Sequence, residues 1–276
     1  MAYLTLPRAR LFYERAGDGD PPLVFVHGIA SAHDDWRAQL DYFRARRCVV
    51  ACDLRGHGAS TGDPAQCDIE TYGADVSALL RALDLPPAVL IGHSLGCRVV
   101  LQASVDAPER VTGLVLVDGS RLGTGDPQMA EQAARQQIQA VGYPAFLRGF
   151  FAGMFLEGSD PAVQERIVGR ALALPEAIGA ALFPRVVRWD AQAMDAALGR
   201  VAVPLLVIQS TYVTPQRVRV PLAPGASTPW LELVRRSVPT AQIEIVSGAG
   251  HFAMLEKPQA VNQHLEQFVA RLSRPT

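Results

Sequence analysis

The stretch Ala88-Val89-Leu90-Ile91-Gly92-His93-Ser94-Leu95-Gly96 decides the fold. An apolar run ends in a G-x-S-x-G pentad, and Val99, Val100 and Leu101 follow at spacings that suit a helix packed on the preceding strand. A buried strand running straight into a helix forces a sharp turn. Glycines two before and two after Ser94 keep side chains out of that turn. The serine hydroxyl is then held clear of the backbone at the carboxyl edge of a sheet. Such pentads recur by chance, so the flanking strand and helix give this one its meaning.

A serine hydroxyl is a poor nucleophile until a neutral imidazole takes its proton. Of the six histidines, His27, His33, His57, His93, His251 and His264, only His251 sits where this architecture delivers a base. It follows a late strand at 241–246 and the loop Ser247-Gly248-Ala249-Gly250, and a helix starts near Lys257-Pro258. A third strand end, Leu23-Val24-Phe25-Val26, runs into His27-Gly28-Ile29. The backbone N–H groups of Ile29 and Leu95 would converge there as an oxyanion hole, usually a large electrostatic contribution to acyl transfer. His27 reads as a structural hydrogen-bonder beneath that loop.

These segments resemble the α/β-hydrolase family. The resemblance runs over nearly the whole chain and rests on four motifs. They are His27-Gly28, the run Asp53-Leu54-Arg55-Gly56-His57-Gly58-Ala59-Ser60, the pentad at 92–96, and Gly250-His251-Phe252 with Glu256-Lys257-Pro258 behind it. It implies a structural role for the Asp53–Ser60 loop, including His57 and Asp53. It also implies a carboxylate to orient the histidine, and here the sequence departs from the family pattern. Most members carry the acid after the strand that follows the cap, in Gly-x-x-Asp. That strand is Pro204-Leu205-Leu206-Val207-Ile208, and the acid position falls on Val213, with no carboxylate between Pro204 and Trp230.

A candidate acid stands one strand earlier. Val111 to Val117 reads as the strand after the nucleophile helix, and Asp118 ends it. A carboxylate there could reach a histidine arriving from the last loop. The placement resembles that of haloalkane dehalogenases and zearalenone-type lactonases. The dehalogenases use an aspartate nucleophile, whereas this chain has Ser94, which argues against dehalogenation and epoxide opening. Asp53, Asp75 and Glu256 are rivals for the acid. Asp75 reads as part of a solvated helix face, and Glu256 as a buttress beneath the His251 loop.

The chain has 276 residues, 49% hydrophobic, with a formal net charge of −1. That fits one large core with an insertion. Near-neutral charge gives no electrostatic reason to expect nucleic acid or an anionic membrane as partner. Cys48, Cys52, Cys67 and Cys97 form no C-x-x-C and no zinc spacing; Cys48 and Cys52, on or near an apolar strand, read as buried thiols, and Cys97 as packed in the helix after the pentad. The first residues lack the regions of a signal peptide, and no run is long enough to span a membrane. A reduced, cytoplasmic protein is expected, with no metal and no cofactor. Its oligomeric state stays open.

Strand-like segments recur at 2–6, 10–16, 22–26, 47–52, 87–92, 112–117, 203–208 and 241–246, with helical patterns between the later ones. The expected fold class is therefore α/β, the α/β-hydrolase fold: a mostly parallel eight-stranded sheet covered by helices, its first two strands an antiparallel edge. Residues 120–200 break the alternation. Helical patterns cover Met129 to Ala140, Tyr143 to Phe155, about 160–173 and about 190–199. The domains expected are a core of 1–119 and 201–276 and a helical cap of 120–200. A cap roofs a site, so Phe150 and Trp189 are expected to line an apolar pocket. Residues 214–229 hold four prolines and little periodicity, and read as a long loop.

The expected function is a serine hydrolase cleaving carboxylic esters or lactones of small hydrophobic substrates through an acyl-enzyme. Ser94 is the nucleophile, His251 the base, Asp118 the acid, and Ile29 and Leu95 the oxyanion hole. C–C bond hydrolases, perhydrolases, cofactor-free oxygenases and non-catalytic ligand receptors on the same fold are the alternatives.

Overall fold

Strands that read as unbroken apolar runs should be covered on both faces, and the computed structural model, which describes residues 1–214 and 218–272, places them so. Every residue of β3 (Leu23–Val26), β4 (Val49–Cys52) and β5 (Ala88–His93) is buried. β6 (Val111–Val117), β7 (Leu205–Gln209) and a last strand, β10 (Gln242–Ile245), continue the sheet. At the other edge β1 (Ala2–Leu6) and β2 (Ala9–Ala16) form an antiparallel hairpin, and alternating burial along β1 marks it as an outer strand. Among the described residues this sheet has eight strands in the order β1-β2-β4-β3-β5-β6-β7-β10, parallel from β4 onward. All eight expected strands are present. A separate two-stranded ribbon, β8 (Thr211–Val213) with β9 (Arg219–Pro221), stands beyond the end of β7.

The order fixes the site. In an open parallel sheet, chemistry collects at the carboxyl ends of the strands. The ends of β5, β6, β7 and β10 lie side by side there and carry Ser94, Asp118, Ser210 and the loop to His251. Helices α1 (Arg37–Phe43) and α2 (Ile69–Ala82) flank the sheet, and α3 (Leu95–Asp106) packs on α2, β5 and β6. Asp75 lies on the buried side of α2, where both its oxygens accept from Arg55 at 2.7 and 2.9 Å. The solvated-face reading of Asp75 is thus corrected: its partner lies 20 residues away and leaves no mark in the local pattern.

Between β6 and β7 the chain is helical. The helices are α4 (Pro127–Val141), α5 (Tyr143–Ala152), α6 (Pro161–Ala173), α7 (Glu176–Gln192) and α8 (Met194–Gly199). Asp126 and Asp160 cap α4 and α6, accepting from Met129 and Ala162 N–H, and a proline follows each cap at the first helical position. Helix α7 is far longer than the piece near 190–199 that the sequence suggests. Pro184 stands inside it and obscures the pattern. After β9 come α9 (Pro229–Ser237), α10 (Ala253–Glu256) and α11 (Pro258–Leu272), the last packed on α1, β6 and β7. No single helix is long and apolar enough to cross a membrane among the described residues.

One buried ion pair welds the insertion to the core. Arg98, in the first turn of α3, donates from Nε and Nη2 to Asp190 on α7 at 2.7 Å each, and from Nη2 to Ser120 O at 2.8 Å. Asp190 also accepts from Leu122 N–H. Both side chains are almost fully buried. Removing one partner of such a pair strands the other charge in a low dielectric. Asp190→Ala is therefore expected to cost about 3–5 kcal/mol of stability, read as a lowered midpoint in urea unfolding. A stability within about 1 kcal/mol of wild type would mean that Arg98 regains solvent and that the pair does not weld the insertion.

Candidate active site

Ser94 sits in the turn between β5 and α3 with φ 52° and ψ −110°. A non-glycine residue held there costs on the order of 1–3 kcal/mol. Packing enforces it: a side chain on Gly92 would run into Gly96 O, and one on Gly96 into Val26 O. Cys97 lies beneath the turn, its thiol donating to Gly92 O at 3.2 Å and Val117 O at 3.4 Å. The reading of Cys97 as a packed residue agrees with that placement.

The three residues read from sequence as nucleophile, base and acid meet. His251 Nε2 is 2.9 Å from Ser94 Oγ, and His251 Nδ1 is 2.5 Å from Asp118 Oδ2. Asp118 and His251 are both buried. Burial alone pushes the Asp118 carboxyl up. The hydrogen bond and charge of His251, then Arg219 and Thr211, outweigh it and hold the group well below the usual carboxylate range. Burial pushes the His251 imidazole down, Arg219 pushes the same way, and Asp118 opposes them. Its pKa lies below the ordinary histidine value. The resting arrangement is thus an ionised aspartate beside a neutral imidazole. Nδ1–H donates to Asp118, which leaves the Nε2 lone pair facing the Ser94 hydroxyl. Such a set can take a proton from Ser94 as its oxygen attacks an electrophile.

The rivals for the acid are engaged elsewhere. Asp53 accepts from His33 N–H and Nδ1 and from Ala59 N–H. Glu256 lies under Gly250 and accepts from Ser159 Oγ at 2.7 Å. His27 Nε2 accepts from Leu54 N–H at 2.9 Å beneath the 27–29 loop. His93, just before the nucleophile, contacts His251 O through Nε2 at 2.8 Å, and burial pushes its pKa down to about 3.

Sequence reasoning missed the residues that hold Asp118. Its Oδ1 accepts from Ser210 N–H, Ser210 Oγ and Thr211 N–H at 2.8, 3.0 and 3.0 Å, and its Oδ2 from Thr211 Oγ1 at 2.7 Å. The end of β7, where the resemblance places the acid, supplies donors instead. Arg219 was missed too. It lies within 214–229, which is not loop throughout: β9 crosses it, while residues 215–217 lie outside those described. Arg219 Nη1 donates to Thr211 Oγ1 at 2.6 Å and lies 3.5 Å from Asp118 Oδ2, and Nε donates to Gly153 O at 3.0 Å. The neighbouring carbonyl, Met154 O, accepts from His251 N–H at 2.8 Å. The helical insertion therefore holds the imidazole loop.

Ser94, His251, Ile29 and Leu95 open onto one cavity of about 1300 Å³. That is larger than the roughly 300–1,000 Å³ usual for small-molecule sites. Leu95 is the first residue of α3, where amides lack an intrahelical acceptor. Phe146, Phe150 and Phe183 of the insertion form an apolar wall, with Phe150 edge-on to Phe183 at 5.3 Å between centroids. Trp189 is not part of that wall. It is fully buried and its indole N–H donates to Gln102 Oε1 of α3 at 3.0 Å, so it anchors α7 to the core. No group of three or more His, Cys, Asp or Glu side chains that could hold a metal ion is present among the described residues.

Comparison with known proteins agrees with the fold. A model of the α/β hydrolase family matches residues 23–264. The 3-oxoadipate enol-lactonase 2 of Acinetobacter baylyi is 28% identical over 275 residues, covering 98% of this chain and 97% of its own. A dihydrolipoyllysine-residue acetyltransferase component of an acetoin cleaving system, from Pseudomonas putida, is 30% identical over 277 residues. That match takes in 94% of this chain but only 66% of the longer protein. Among solved structures, a hydrolase from Pseudomonas aeruginosa PA01 superposes with a TM-score of 0.79 at 28% identity, with 97% of each chain covered.

Two expectations follow. In Asp118→Asn, Arg219 becomes the charged donor nearest His251 Nδ1 and favours the tautomer with the proton on Nε2, which cannot accept from Ser94. The matching change in a serine protease lowers kcat about 10⁴-fold. A loss on the order of 10³–10⁴-fold in ester turnover is expected here with an unchanged circular dichroism spectrum, and a loss under tenfold would remove Asp118 from the relay. Phe150→Ala should shift kcat/KM across esters of increasing acyl length and leave stability nearly intact. Trp189→Ala should instead cost about 3–5 kcal/mol in urea unfolding. Equal selectivity changes in both variants would contradict their separate placement.

Proposed function

The chain belongs to the α/β-hydrolase family, and from that membership and the site geometry we propose that it is a serine hydrolase of carboxylic esters or lactones. One observation carries the reading: the unbroken contact path from Ser94 Oγ through His251 to a buried, ionised Asp118. In the proposed reaction Ser94 Oγ attacks the substrate carbonyl while His251 Nε2 takes its proton. The oxyanion of the tetrahedral intermediate is held by the N–H groups of Leu95 and Ile29. His251 then gives its proton to the leaving alkoxide, and the acyl-enzyme forms. Water, deprotonated by the same imidazole, attacks the acyl carbon, and Ser94 leaves with the proton returned to it. In a lactone the leaving alkoxide stays tethered to the acyl group, and the product is a hydroxy acid.

The residues 120–200 serve as cap. Their aromatic wall of Phe146, Phe150 and Phe183 favours a neutral, apolar acyl or alkyl group over a charged one. The enol-lactonase of Acinetobacter baylyi is a relative whose name fits the lactone half of this reading. The reaction as written needs no metal or organic cofactor.

Ser94→Ala removes one oxygen at a turn and no core volume. A fluorophosphonate probe should label the wild-type protein at one residue per chain and leave Ser94→Ala unlabelled with the same unfolding midpoint. Ester turnover should fall to the residual that oxyanion and binding contacts sustain, roughly 10³–10⁴ over water. Near-native turnover by Ser94→Ala would move the nucleophile elsewhere.

A further inference from the structure

The proton path described above does not require a cation at its centre, yet Arg219 stands there. Its side chain is only 13% exposed. Two hydrogen bonds fix it, one to Gly153 O of the cap and one to Thr211 Oγ1, and Nη1 is held 3.2 Å from His251 Nδ1. The register of the ribbon explains the position. Arg219 is the cross-strand partner of Val213, the residue on which the family's usual acid position falls. A cation thus stands opposite the place where the resemblance expects an anion.

Nδ1 of an imidazole carries either one proton or one lone pair. The 2.5 Å contact with Asp118 Oδ2 takes the proton there. The guanidinium therefore cannot donate to Nδ1 and meets the ring as a positive neighbour. A second positive charge on the ring would lie within hydrogen-bond distance of the first, and like charge at that range disfavours the charged form.

The other charged and titratable groups around His251 leave this effect to Arg219. Arg98 of α3 is matched by the bidentate Asp190 of α7. His93 of β5 is neutral, with its pKa pushed down to about 3. Glu256 of α10 lies below Gly250 and accepts from Ser159. Asp118 attracts the ring proton, and its oxygens already accept from Ser210 and Thr211 as well as from the imidazole.

We propose that Arg219 is a positioning residue that keeps His251 neutral, and so ready to accept the serine proton, at a pH where the Asp118 contact alone would leave it protonated. The same side chain holds Thr211 Oγ1 toward Asp118 and ties the cap carbonyl at Gly153 to the relay. The inference rests on the serine-hydrolase reading, since it assigns His251 the role of base. Its sign is definite. The cation weakens the protonated imidazole, so the acid limb of activity lies at lower pH with Arg219 than without it.

The test is the pH dependence of Ser94 labelling by a fluorophosphonate and of p-nitrophenyl butyrate turnover, in wild type, Arg219→Gln, Arg219→Met and Arg219→Lys. Labelling reports nucleophile activation without requiring that the natural substrate be known. In the Gln and Met variants the acid limb of both rates is expected to move to higher pH. Below both limbs, each variant should lose on the order of tenfold more of its own plateau rate than wild type does, a tenfold loss being one unit of displacement. Arg219→Lys, which keeps the charge, should stay near the wild-type limb. Met retains an apolar stem and guards against a Gln variant that fails to fold. An acid limb that superposes on wild type, with any loss confined to plateau rate or KM, overturns the proposal and leaves Arg219 as a structural or substrate-binding residue. A Lys variant displaced as far as Gln also overturns it. If wild type is neither labelled nor active, the hydrolase reading fails. Titration of the His251 ring by proton–nitrogen NMR in wild type and Arg219→Gln then still decides whether the cation sets its protonation.

Discussion

A carboxylate buried from water must find donors for its lone pairs or be protonated, and the site is arranged around that requirement at Asp118. Its two oxygens accept from the backbone and hydroxyls at the end of β7 and from the imidazole delivered after β10. The donors come from two separate parts of the chain, residues 210–211 and the loop at His251, and the carboxylate is where they are brought into register. Because the group is ionised and held, the imidazole has one tautomer available, and that tautomer aims its free lone pair at Ser94. The strain in the Ser94 backbone would serve no purpose if the ring were free to rotate. The two constraints complete each other: one fixes the hydroxyl, the other the imidazole.

The helical insertion takes part in the same arrangement. Met154 O holds the His251 backbone, Gly153 O holds Arg219, and the ring of Phe155 stacks on Phe252 at 5.5 Å. The far end is fastened through Asp190 to Arg98, which also donates to Ser94 O at 3.2 Å. An insertion attached at both helix α3 and the His251 loop couples the shape of the cavity to the geometry of the Ser94–His251–Asp118 contacts. In the proposed hydrolase, changes in its apolar wall alter substrate fit with little effect on those contacts, whereas changes at 153–154 act on the contacts themselves.

How much of this was legible follows from the range of each signal. Ser94, His251 and the eight strands carry local signals, namely apolar runs, glycine spacing and a strand-end loop, and local signals survive in a single sequence. Asp118 was legible through the resemblance, because the position where it implies an acid holds no carboxylate and this aspartate closes a strand. Its donors were not: Ser210 and Thr211 are ordinary residues until β7 is placed beside β6. Arg219 was hidden within a stretch rich in proline and glycine that read as loop. Thr228-Pro229, at the end of that stretch, is in fact a helix cap followed by a first-turn proline, with Thr228 accepting from Leu231 N–H. Trp189 was misplaced for a related reason. A tryptophan on a helix of the insertion can face the pocket or the core, and the partner Gln102 of α3 decides which.

In the proposed reading Asp118 serves as the acid, and the absence of a carboxylate at Val213 then has a physical consequence beyond that relocation. The sheet order puts β7 between β6 and β10, so an imidazole hanging from the β10 loop lies within reach of a carboxylate from either β6 or β7. The two placements are not exchanged by moving one residue. With the acid on β7, the end of β6 need only stay out of the way. With the acid on β6, the end of β7 must turn from supplying the anion to solvating it. That explains why Ser210 and Thr211, with two amides and two hydroxyls, stand after β7. It also explains why the ribbon beyond them can tolerate a buried cation. Arg219 beside an acid on its own ribbon would compete directly for the carboxylate that the histidine needs. With Asp118 on β6 already held by four donors from β7 besides the imidazole, the guanidinium can stand at 3.5 Å without displacing the ring.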